Sequence, residues 1–86
     1  MLNGKFLNDQ AAEFAKRLRK EAGDKLEAQV TLAYRLALGH EPDKALVGRG
    51  LKLIDALQQK HSQSAEEALK GFCLMVLNLN EFVYLD

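Results

Sequence analysis

Residues 64–77 read Ser-Ala-Glu-Glu-Ala-Leu-Lys-Gly-Phe-Cys-Leu-Met-Val-Leu. Ser64 and Glu67 have the i, i+3 spacing of a capping box, in which a hydroxyl and a carboxylate each take a backbone N–H left open near a helix start. The residues that follow are apolar nearly all the way round: Ala68, Leu69, Phe72, Cys73, Leu74, Met75, Val76 and Leu77. A helix with no polar face needs neighbours on every side. In a chain of 86 residues, this stretch predicts a helix at the centre of an all-α domain.

Three amphipathic segments upstream can supply the cover. The first is expected from residue 8 to residue 22, capped by Asn8 and ended by a left-handed Gly23, with Leu7, Ala11, Phe14, Ala15, Leu18 and Ala22 at three-and-four spacing. Asp24 and Glu27 have capping-box spacing, so a second helix is expected to start there and run to Leu38 before Gly39. Its inner stripe is Leu26, Val30, Ala33, Tyr34 and Ala37. Pro42 and a capping Asp43 introduce a third helix with Leu46, Val47, Leu51, Ile54 and Leu57 on one face. Gly48 and Gly50 lie inside it, where each costs about 1 kcal/mol relative to Ala. Gly50 is on the apolar side and marks the expected close helix contact or bend.

Twelve basic and twelve acidic side chains cancel, leaving no global field to draw the protein to nucleic acid or anionic lipid. Met1 is followed by neither the basic start nor the continuous apolar core of a secretory leader. The dense apolar run at 72–77 is far shorter than the roughly 20 residues that span a bilayer, so no membrane insertion is expected. The single Cys73 excludes an internal disulfide. The chain suits one domain over residues 1–86.

Three segments carry a resemblance: Leu2-Asn3-Gly4-Lys5-Phe6, Ala33-Tyr34-Arg35-Leu36-Ala37-Leu38-Gly39-His40-Glu41-Pro42, and Leu77-Asn78-Leu79-Asn80-Glu81-Phe82-Val83-Tyr84-Leu85-Asp86. Together they resemble the C-terminal end of a planctomycete domain of unknown function found in large cytochrome-associated proteins. The chain departs from that pattern at His40, where Arg is usual, and at Leu79, where a small polar residue is usual. The resemblance implies a C-terminal module of a longer, exported or periplasmic parent protein, some of whose upstream domains resemble cytochrome c. It brings no established activity with it.

Candidate chemistry is sparse. His40, His61 and Cys73 have no paired ligand spacing, and there is no Cys-x-x-Cys-His for haem attachment. No cofactor is therefore expected. Among Phe72, Leu74 and Met75, Cys73 reads as a small buried hydrophobe. Lys16, Arg17, Arg19 and Lys20 form the densest basic cluster, but Glu13 and Glu21 flank it and no aromatic residue interleaves it, so it reads as a solvated face. Glu66 and Glu67 sit in a first helical turn, where negative charge is favoured without any catalytic role. Asn78, Asn80, Glu81 and Tyr84 interrupt an apolar run and either redirect the backbone or bind something. With Tyr34, Arg35 and Phe82 they are the candidate motif residues, and Arg35 is expected to pair with Glu81.

The expectation is a compact four-helix domain with short loops, acting as a non-catalytic structural or interaction module. Its partners would be upstream domains of the parent or, for the isolated chain, a second copy. The alternative is an accessory part of an active site completed by an upstream domain, with Asn80 or Glu81 supplying a polar group. A convergent polar pocket would favour that alternative, and a continuous apolar patch would favour the interface.

Overall fold

The capping box forms as the sequence predicts. Glu67 Oε1 accepts from the Ser64 backbone N–H at 2.9 Å, and Ser64 Oγ accepts from the Glu67 N–H at 3.1 Å. These bonds launch a helix in a computed structural model that describes residues 4–79. Four helices follow in order: α1 (Gly4–Ala22), α2 (Leu26–Leu38), α3 (Lys44–Lys60) and α4 (Ala65–Leu79). The fold is an all-α four-helix domain, and no strand occurs among the described residues.

The stops and most of the starts have local causes. Gly23 and Gly39 adopt φ of 79° and 81°, the left-handed conformation that releases a chain from a helix. Their N–H groups bond back to Arg19 O and Arg35 O. Asp43 caps α3, its carboxylate accepting from the Leu46 N–H at 2.8 Å.

Two expected caps are displaced. Asn8 lies inside α1, which begins a full turn earlier at Gly4, and its Nδ2 donates to Gly4 O at 3.0 Å. Lys5 and Asp9 add an i, i+4 pair across the same turn. Asp24 lies one residue too early. The N-cap of α2 is Lys25, which makes no side-chain capping bond. The α1–α2 turn is instead held by Gln29, whose Nε2 donates to Gly23 O at 2.6 Å. Gln29 is the buried polar residue of α2, and this bond satisfies the group that burial would otherwise leave costly.

Packing follows the apolar stripes. α1 rests on α2 and α4, α3 rests on α2 and α4, and α1 and α3 do not touch. α4 is therefore central, as its all-round apolar surface demands, and α2 shares that position. The core joins Ala11, Ala15 and Leu18 of α1, Val30, Ala33 and Tyr34 of α2, Val47 and Ile54 of α3, and Ala68, Leu69, Phe72, Cys73 and Val76 of α4. At its middle the Tyr34 and Phe72 rings meet edge to face, with centroids 5.4 Å apart and planes at 80°, a favoured aromatic geometry. Gly50 lies directly beneath them. A Cβ there would come within 2.8 Å of Val30 Cγ1 and 2.9 Å of Phe72 Cε1, so its missing side chain is what lets α3 close on α2 and α4. The Cα radius of gyration is 12.3 Å, near the value of about 12 Å for a compact chain of this length.

Candidate interaction surface

α1 and α4 run antiparallel: Arg19 reaches Glu66 at the start of α4 at 3.9 Å, while Gln10, Glu13 and Phe14 share a groove with Val76 and Leu77 at its other end. The C-terminal turn of α2 closes the groove with Leu36 and Ala37. The result is an open cavity of about 330 Å³ with an apolar floor and a polar rim that includes Arg17. Leu36 and Leu38 are 40% and 44% exposed, and Leu79 is 58% exposed. The ends of α2 and α4 thus present large exposed apolar side chains, of which Leu36 lines the groove, and such surface marks an interaction site when it is contiguous.

A second cavity of about 380 Å³ lies where α1, α2, α3 and α4 approach one another, with Leu26, Ile54 and Leu69 below and Arg19, Asp24, Gln29, Gln58 and Glu66 around it. It brings polar groups from four different elements together.

The candidate motif residues separate. Tyr34 is 2% exposed and belongs to the core; burial pushes its phenol above the ordinary 10, partly offset by the positive charge of Arg49. Its neighbour Arg35 lies on the outside of α2. It bonds through Nε to Glu41 in the loop after α2, which raises its pKa further. The expected partner, Glu81, lies outside the described residues. Glu41 meets Arg35 because the Gly39 turn folds the chain back beside the helix end it has just left. Asn78 is exposed on the last turn of α4. Asn80, Glu81, Phe82 and Tyr84 lie outside the described residues.

The remaining candidates are quiet. His40 is exposed in the loop, with Nδ1 3.0 Å from Glu41 O, and His61 is exposed at the end of α3. Among the described residues no group of three or more His, Cys, Asp or Glu is placed to hold a metal ion. Cys73 is fully buried, and desolvation pushes its thiol up to about 12, with Arg19 pulling slightly the other way. That is the opposite of what a nucleophile requires. In the basic cluster, Arg17 bonds Glu21 at 2.6 Å and Lys16 sits 3.7 Å from Glu13. Glu67 is held below its ordinary 4.5 by the backbone N–H and then the hydroxyl of Ser64, which is capping rather than acid–base chemistry. Among the described residues no helix is long and apolar enough to cross a membrane.

Nothing in the sequence pattern singles out the groove, because its walls come from three helices that are well separated along the chain. The one available signal is Leu36, which falls outside the inner stripe of α2. No family model matches this chain, and no curated protein or solved structure matches it.

Proposed function

We propose that this chain is a non-catalytic structural or protein-interaction module, built to pack against upstream domains of a longer protein and able to use a second copy when isolated. The observation that carries this is the apolar surface at the C-terminal ends of α2 and α4, where Leu36, Leu38 and Leu79 stand exposed and Leu36 lines the groove. The resemblance of three of its segments to the planctomycete domain supports a position at the C-terminal end of a large exported protein. Light scattering over a concentration series tests the interaction. The mass should rise toward a dimer with concentration, and Leu38→Glu should hold the chain as a monomer. A wild-type chain that stays monomeric into the millimolar range would remove the support for an interaction surface at this end.

The polar cavity beside Gln29 favours a second reading, in which the module completes an active site on an upstream domain. Gln58→Ala or Glu66→Gln, at residues that line this cavity, would then lower kcat in the parent protein and leave its melting temperature unchanged. Under the interaction proposal neither substitution touches turnover, and any effect falls on stability.

A further inference from the structure

We propose that the groove between α1, α2 and the end of α4 is a docking site for this chain's own residues 80–86, seated through the apolar side chains of Phe82, Val83, Tyr84 and Leu85. The first observation is covalent. Leu77 lines the groove and Asn80 is three residues further along, so the segment necessarily begins within about 11 Å of that wall. Seven residues reach about 23 Å when extended, equal to the shortest dimension of the domain, 23 Å. The groove therefore lies within the segment's reach.

The second observation is chemical. The apolar lining is Phe14, Leu36, Ala37, Val76 and Leu77, with Gln10, Glu13 and Arg17 as its polar members. Residues 82–85 are four consecutive apolar side chains, two of them aromatic, and Glu81 and Asp86 flank them. The apolar run matches the apolar floor, while the charges give no preference, because Glu13 shares the rim and Arg17 is already bonded to Glu21 at 2.6 Å. The third is concentration. A segment tethered at the lip of its site has an effective concentration in the millimolar range, so a separate copy competes only when the protein is equally concentrated. That favours the chain's own segment as occupant over a second molecule, and the proposal stands whether or not the neighbouring leucines recruit a partner.

A double-mutant cycle tests it. Leu36→Glu places a charge in the apolar lining at a side chain that is already 40% exposed; the second change ends the chain after Leu79. Removing residues 80–86 should lower the melting temperature by about 5 °C or more, the shift that a tenfold change in stability brings to a domain of this size. In the Leu36→Glu background the same removal should cost less than half as much, and neither effect should depend on protein concentration. Should the shortened chain fail to fold, Phe82→Ser in the full chain runs the same cycle. Additive losses, an unchanged melting temperature on removal, or an effect that grows with protein concentration would each overturn the proposal; the last would mean that the segment docks on a second copy.

Discussion

A methyl group added at Gly50 would meet Val30 Cγ1 at 2.8 Å, Phe72 Cε1 at 2.9 Å and Tyr34 Cε2 at 3.2 Å, whereas one added at Gly48 meets nothing within 4 Å. Both glycines are helical, so both gain about 1 kcal/mol of helix propensity on becoming Ala. Gly48→Ala should keep that gain as a higher urea midpoint. Gly50→Ala should lose it to overpacking, which costs about 1–3 kcal/mol, and end near or below wild type. Equal behaviour of the two would mean that α3 can move away from the Tyr34–Phe72 pair at little cost. Cys73 makes a second prediction of the same kind. Its thiol is pushed up to about 12 in the folded chain from an ordinary 9.0. Below pH 9 it is protonated in both states and contributes no pH dependence. Between pH 9 and 12 the unfolded chain releases a proton that the folded chain keeps, so stability falls by about 1.4 kcal/mol per pH unit from this group. Raised by burial, Tyr34 acts in the same direction at higher pH. Urea melts at pH 8 and 10.5 should show a smaller alkaline loss for Cys73→Ala than for wild type, and identical losses would remove the thiol as the cause.

At the scale of the helix, the start signals divide according to whether the sequence offers one candidate or several. Asp43 follows Pro42, and Ser64 stands three residues before Glu67, so position and chemistry agree and both caps form. Asn8 and Asp24 are equally good capping residues by type, but each has a competing start within a turn. α1 extends to Gly4, with Asn8 bonding back to it, and α2 starts after Lys25, with Gln29 tying down the turn. Cap chemistry is local and legible. The choice between two nearby caps is settled by tertiary packing, and a single sequence does not contain it. Asp43→Ala should therefore cost about 1 kcal/mol, while Asp24→Ala should stay within about 0.5 kcal/mol of wild type, both read from urea melts. If Asp24→Ala costs as much as Asp43→Ala, then Asp24 supports α2 in solution. Ser64→Ala adds a pH signature. Because Ser64 holds the Glu67 carboxyl below its ordinary 4.5, the cap contributes above that pH and fades as pH falls below it. Ser64→Ala should thus destabilise at pH 7 and flatten part of the loss on acidification.

Over the whole molecule, the four helices, their core stripes and the contact at Gly50 are legible because each rests on spacing within one segment. The groove, the polar cavity and the Arg35–Glu41 pair are not, because each joins elements whose mutual placement is set only when α1 and α3 close on opposite sides of the α2–α4 pair. The charge balance, by contrast, is readable and has a consequence at this scale. With twelve cations and twelve anions and a pI near 6.7, two copies carry no net repulsion at neutral pH, and no large field steers them together either. Association at the apolar end should then be driven by burial of Leu36, Leu38 and Leu79. Burial of apolar surface is not screened, whereas exposed ion pairs such as Lys5–Asp9 and Lys16–Glu13 weaken once the Debye length falls to about 3 Å in 1 M salt. Sedimentation equilibrium at 0.1 M and 1 M NaCl should therefore give a dimer at least as tight at the higher salt, and sulfate should tighten it further. Dissociation by NaCl would point instead to the charged outer faces of α1 and α2 as the contact, and would move the interface away from the exposed leucines.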